Sequence, residues 1–117
     1  MQDVRLGVIE TRFADIIWAN APMKTNDLVE ICEKELGWAR TTTYTVLKKL
    51  CNRGVFDMRK AHTRVLIPRE EFYAIRTEQF VDSNFGGSLP AFVAAFTSRR
   101  TPSKEELDEI RKLIDSI

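Results

Sequence analysis

The stretch whose reading decides the fold is Trp38 to Arg69, WARTTTYTVLKKLCNRGVFDMRKAHTRVLIPR. From Arg40 to about Asn52 it carries Thr43, Val46, Leu47 and Leu50 on one side at helical spacing, and Gly54 follows as a candidate left-handed stop. Two short β-prone runs come next, Val55 to Met58 and Thr63 to Ile67, around a polar connection and ended by Pro68. They predict a two-stranded hairpin. Charge marks out the same stretch. Residues 38–69 hold eight basic side chains and one acidic one, net +7, whereas residues 1–37 (four basic, seven acidic) and 70–117 (six basic, nine acidic) are each net −3. An evenly mixed run would be a solvated face, but here only Asp57 interrupts the basic residues, so attraction to phosphate is the better explanation.

Working upstream, Val8, Ile9, Phe13, Ile16 and Ile17 share helical spacing over Val8 to Ala19, and Asn20-Ala21-Pro22 ends that helix. Thr25 offers an N-cap oxygen to a second helix, with Asp27 in its first turn, Leu28, Ile31 and Cys32 on one side and Gly37 as a stop after Leu36. Working downstream, Phe72, Ile75, Gln79 and Phe80 set an amphipathic spacing from Arg69 to Phe85, broken by Gly86-Gly87. Ser88 caps a short helix that tolerates Pro90 in its first turn and bears Leu89, Phe92, Val93 and Phe96. Ser103-Lys104-Glu105-Glu106 fits a capping box, and behind it Leu107, Ile110, Ile114 and Ile117 form a seam with Leu113 beside it. The fold class expected is mainly α with a small β-hairpin, a winged helix-turn-helix over residues 1–69 followed by a helical dimerisation region over residues 70–117.

Bulk properties agree with a single compact unit carrying an appendage. The chain has 117 residues, 44% apolar and 30% charged, as in a soluble globular protein. MQDVRLGVIE lacks a basic stretch followed by an apolar one, and no apolar run approaches the ~20 residues that span a bilayer, so a cytoplasmic location without direct membrane insertion is expected. Cys32 and Cys51 lie on separate predicted helices and read as small buried hydrophobes, not as a disulfide. Trp18 and Trp38 read as core plugs, and His62 has no ligand cluster around it. No metal site, cofactor site, nucleophile elbow or phosphate-binding loop is present in the sequence, so no enzyme is expected.

A helical wheel of the third helix separates two faces. With Thr41 at zero, Tyr44, Thr45, Lys48 and Asn52 fall near about 300°, 40°, 340° and 20°, opposite Thr43, Val46, Leu47 and Leu50. The polar face fits a major groove: hydroxyls of Thr41, Tyr44 and Thr45 reach phosphates or base edges, and Lys48 and Lys49 supply charge. Arg59, Lys60, His62 and Arg64 cluster on the hairpin, as a wing tracking the backbone would require. The candidate DNA-binding set is therefore Arg40, Thr41, Thr42, Tyr44, Thr45, Lys48, Lys49, Arg59, Lys60, His62 and Arg64. A winged helix used purely for protein interaction is the competing class, but it has no need of the +7 segment.

Several of these residues also carry a family resemblance: Ile16-Ile17-Trp18 ending the first helix, Trp38 before the third, Thr42 and Thr45 within TTYTVLKKL, Gly54, and Phe85-Gly86-Gly87-Ser88-Leu89. The chain resembles the repressors of penicillinase and methicillin-resistance genes and the related copper-transport repressors over nearly its whole length. The resemblance implies a homodimer that binds a palindromic operator on double-stranded DNA, represses transcription and dimerises through its last helices. It also implies inactivation by a membrane-bound sensor protease cutting an Asn-Phe bond in the tail, for which the matching bond is Ala95-Phe96 with alanine in place of asparagine. The cysteine-rich end of some copper-responsive relatives is not matched by Leu113-Ile114-Asp115-Ser116-Ile117. Serine, frequent in relatives at Ala39, could cap the third helix, and Thr41 or Thr42 is expected to take over that cap.

Dimerisation also has a physical argument. One winged helix reads too few base pairs to find a site in a genome, and two half-sites multiply the discrimination. The dimerisation residues expected are Phe80, Leu89, Phe92, Phe96, Leu107, Ile110, Ile114 and Ile117, an apolar surface that a monomer would expose.

Overall fold

A computed structural model describes residues 5–117; Met1 to Val4, part of the stretch read above for an export signal, lie outside them. Among the described residues the order is α1 (Val8–Asn20), β1 (Met23–Lys24), α2 (Thr25–Leu36), α3 (Arg40–Asn52), β2 (Phe56–Arg59), β3 (His62–Val65), α4 (Arg69–Phe85), α5 (Leu89–Arg99) and α6 (Lys104–Asp115). Two compact units are formed, the first ending at Thr77 and the second beginning at Glu78, with the division inside α4.

In the first unit α1 buries Phe13, Ala14, Ile16 and Ile17, α2 contributes Leu28 and Cys32, and α3 contributes Leu47 and Leu50. Val55, Phe56, Ile67 and Phe72 close the core from the sheet and the first turn of α4. Val8 and Ile9, which share the spacing of the α1 core residues, are exposed in the first turn. Both tryptophans pack as plugs. Trp38 lies 5.3 Å from Phe13 between ring centroids, and Trp18 sits between Phe72 (5.1 Å) and Phe56 (5.6 Å). The Trp18 indole keeps its polar end satisfied by donating to the Ile67 carbonyl at 3.0 Å.

Three sequence expectations are corrected here. First, the expected hairpin β2–β3 is present but is not the whole sheet: Met23–Lys24 adds a third strand in the order β1-β3-β2, with Met23 opposite Thr63 and Lys24 opposite His62. A two-residue strand is too short to show alternation, and its pairing is non-local. The two hairpin strands also start a residue away from the runs read in sequence, β2 at Phe56 and β3 at His62, with Phe56 pairing with Val65 and Arg59 with His62.

Second, Thr25 is not the cap of α2. The chain enters the helix directly from β1, so the cap position is the still extended Lys24, and the Thr25 hydroxyl is buried against the Thr63 hydroxyl at 3.0 Å. Third, neither Thr41 nor Thr42 caps α3: Ala39 occupies the cap without a side-chain bond, and both threonines already lie inside the first turn.

The hairpin tip is made by Lys60 and Ala61, both left-handed with φ of 51° and 61°. A two-residue connection with both residues at positive φ matches the twist of the strands, and it is the geometry that Asn-Gly normally supplies. Each non-glycine residue there costs about 1–2 kcal/mol. Ala61→Gly relieves one such cost and gives part of it back as unfolded-state entropy, so it is expected to stabilise the first unit by roughly 0.5–1 kcal/mol. Chemical denaturation checks this, and a loss of stability would show that the turn is not held in that geometry.

In the second unit Gly86 and Gly87, with φ of 57° and 78°, turn the chain between α4 and α5. Phe80, Phe85 and Phe92 then meet around that turn at centroid separations of 5.7–6.2 Å. Ser88 caps α5 by accepting from the Ala91 amide at 3.1 Å. Ser103 and Glu106 form the reciprocal capping box of α6 at 3.1 and 3.2 Å. No residue of α5 or α6 is buried within this chain.

Candidate nucleic-acid interface

Helix α3 divides as its wheel requires. Thr43, Leu47 and Leu50 are buried, and Val46 packs against the core, while Thr41, Thr42, Thr45, Lys48 and Asn52 are exposed. The Thr45 hydroxyl donates back to the Thr41 carbonyl at 2.8 Å, which leaves its oxygen lone pairs and methyl outward. Tyr44 is half-buried beneath the guanidinium of Arg40, whose Cζ lies 5.2 Å from the ring centroid.

Asn26, in the first turn of α2, escaped the sequence reading. Its Oδ1 accepts from Arg40 Nη2 at 2.7 Å, and the same nitrogen reaches the Tyr44 hydroxyl at 3.4 Å. Because guanidinium only donates, the Asn26 amide must turn its oxygen inward and its NH2 outward. Arg40 is thus fixed at the junction of α2 and α3 instead of extending freely.

Not all the cations in the candidate set stand open to a ligand. Lys49 lies 3.3 Å from Glu10 of α1, and Arg53 reaches the same carboxylate at 3.6 Å. On the sheet, Asp57 and Arg64 are directly opposite across β2 and β3, and the Arg64 guanidinium donates to the Asp57 carboxylate. Arg59 Nε lies 4.0 Å from the same oxygen. The hydrogen bond from Arg64 holds the Asp57 carboxyl below the usual carboxylate range, and the charges of Arg64 and Arg59 act in the same direction. Lys60 and His62 are exposed at the tip, where His62 Nδ1 lies 3.0 Å from the Lys60 carbonyl.

The remaining polar groups do not form a second site. Burial pushes the Cys32 thiol up, opposed in part by the neighbouring Thr43 hydroxyl, and burial likewise pushes up Cys51, with the Asp57 charge adding to it. Both thiols are free and remain protonated at neutral pH, as small packing groups do. Among the described residues no group of three or more His, Cys, Asp or Glu is arranged to hold a metal ion, and no helix is long and apolar enough to cross a membrane.

In the second unit the residues read as a dimer seam are exposed within the chain. Phe80, Leu89, Phe96, Leu107, Ile110, Ile114 and Ile117 all lie on the surface, joined by Val93 and Leu113, while Phe92 is half-buried in the phenylalanine cluster. Ala95 and Phe96 are exposed side chains inside the regular helix α5.

Comparison with known proteins bears on the whole of this arrangement. The family model described as penicillinase repressor matches residues 6–116. The chain is 21% identical over 110 residues to the methicillin resistance regulatory protein MecI of Staphylococcus aureus (strain Mu50 / ATCC 700699), covering 91% of this chain and 89% of that protein. It is 22% identical over 111 residues to the penicillinase repressor of Bacillus licheniformis, covering 91% and 86%. A winged helix-turn-helix with an exposed polar third helix, matched along almost its full length, places the chain in the penicillinase repressor family, bacterial DNA-binding transcriptional repressors that are not enzymes.

Proposed function

We propose that the chain represses transcription in the cytoplasm as a homodimer on a palindromic operator, with α3 in the major groove and the β2–β3 wing against the phosphate backbone. The observation that carries this reading is the joint exposure of Thr41, Thr42, Thr45 and Lys48 on α3 and of Arg59, Lys60 and His62 on the wing. Thr41, Thr42 and Thr45 are the base-edge candidates, since none of them is spent on a helix cap. Arg40, Tyr44 and Lys48 serve the backbone, Lys49 is a further charge that must first leave Glu10, and Arg64 contributes to the cationic wing while its guanidinium is held by Asp57. Residues 1–69 supply DNA binding in this reading. Residues 70–117 supply dimerisation through Phe80, Leu89, Phe92, Phe96, Leu107, Ile110, Ile114 and Ile117, although Phe72 belongs to the first core.

Salt titration of binding to double-stranded DNA tests the reading. The logarithm of affinity should fall linearly with the logarithm of salt concentration, and Lys48→Ala should flatten the slope by about 0.9, the value of one phosphate contact. Binding with no salt slope would sink it and favour a protein-interaction module. Proteolytic release by a membrane-bound sensor is a further part of the proposal. The exposure of Ala95 and Phe96 supports it, while the helical backbone of α5 requires local unwinding before a protease can take the bond.

A further inference from the structure

Asp57 is the one acidic residue in the stretch 38–69, and the fold puts it where it acts on the wing. It is directly opposite Arg64 in the β2–β3 ladder, so the two side chains leave the same face of the sheet, the face that also bears Arg59 and His62. The other face carries Phe56, buried, and Thr63, buried against Thr25. Arg64 donates through Nη2 to Asp57, and its Nε is shielded from solvent without a partner, so the guanidinium lies down along the sheet. Arg59, at the Asp57 side of the tip, approaches the same oxygen but is largely exposed.

From this arrangement we infer that Asp57 is an internal substitute for a backbone phosphate, which withholds Arg64 from DNA and so limits the affinity of the wing for duplexes of any sequence. A carboxylate and a phosphate compete for the same fork of N–H donors, and Arg64 cannot give its Nη2 edge to both. The unpaired Nε shows that the present pose does not use the donor set fully, so removing Asp57 frees a guanidinium with unmet hydrogen bonds to turn toward a phosphate. Base contacts made by α3 are untouched by that exchange. The gain is therefore the same on cognate and non-cognate DNA, and Asp57 sets the general affinity of the wing for the phosphate backbone.

The inference rests on the DNA-binding reading above, and a double-mutant cycle separates the two. Wild type, Asp57→Asn, Arg64→Gln and the double variant are titrated with a random-sequence duplex across salt concentrations. Asp57→Asn should steepen the salt slope by about 0.9 and raise affinity at 0.1 M salt by roughly fivefold to tenfold, as one recruited phosphate contact does. Arg64→Gln should leave the slope unchanged in the wild-type background and flatten it by about 0.9 when Asp57→Asn is already present. Equal effects in both backgrounds, the result of simple additive charge, would overturn the inference, as would a flattened slope for Arg64→Gln alone. A wild type with no salt slope would instead refute DNA binding itself, and this inference with it. Asp57→Ser provides a second variant if Asp57→Asn melts early, and its slope must steepen in the same way.

Discussion

In the proposed homodimer, Ile110→Asp made together with Ile114→Asp is expected to separate the protomers and to lower affinity for a two-half-site duplex by about 10²–10⁴-fold, the loss that accompanies unlinking two binding modules. The capping box of α6 fixes where the helix begins, and from that start Leu107, Ile110 and Ile114 recur on one side with Leu113 beside them, while Ile117 follows just beyond the Ser116 cap. All five are exposed in the chain, as are Phe80, Leu89, Val93 and Phe96, more large apolar side chains than a lone soluble chain would keep open to water. Aspartate at the seam places a charge where a partner helix would have to desolvate it. Sedimentation velocity at micromolar concentration reads the outcome directly. The first unit should melt as before, because no residue of α6 contributes to its core. A double variant that still sediments as a dimer would refute this seam, and a monomeric wild type would refute dimerisation through the second unit altogether.

Phe72→Ala should cost about 3–5 kcal/mol, a large share of the ~5–15 kcal/mol that holds an ordinary domain together. Phe72 is fully buried and is surrounded by aromatic rings, with Trp18 at 5.1 Å and Tyr73 edge-on at 5.3 Å. Truncation removes the wall against which Trp18 rests and leaves a void bordered by the Trp18 ring and the sheet residue Phe56 packed on it. Phe72→Leu keeps most of the volume and should cost clearly less. Denaturant unfolding of both variants, followed by tryptophan fluorescence, tests the claim. A cost below about 1 kcal/mol for alanine would mean that the first turn of α4 is not part of the core.

The order of helices was legible in the sequence because its punctuation is chemical. Gly37 and Gly54 stand in the left-handed region where the second and third helices stop, Gly86 and Gly87 turn the chain after α4, and Ser88 and Ser103 accept the bonds their positions suggest. The face of α3 was legible for the same reason, since periodicity alone separates Thr43, Leu47 and Leu50 from Thr41, Thr45 and Lys48. What escaped is what depends on residues far apart in the chain. Met23–Lys24 pairs with residues about 40 positions away, and Glu10, 39 positions before Lys49, draws that lysine toward α1. Asn26 looked like any polar residue at a helix start until Arg40 was found bonded to it. Counting cations along the chain could not reveal that Lys49 and Arg53 already hold Glu10, Arg59 and Arg64 hold Asp57, and Arg69 holds Asp15.

The short strand β1 has a mechanical meaning as well. Through its pairing with β3, the Thr25 amide bond to the Ala61 carbonyl and the buried Thr25–Thr63 contact, the hairpin is riveted to the first residue of α2. A wing attached only at its root would swing like a flap. Fastened also at its tip, it behaves as the second jaw of a caliper whose first jaw is α3, and the gap between the jaws is set before any duplex arrives. In the proposed DNA complex such an instrument would gauge groove width, so two sites with identical bases but different local helix geometry would not be equivalent to it.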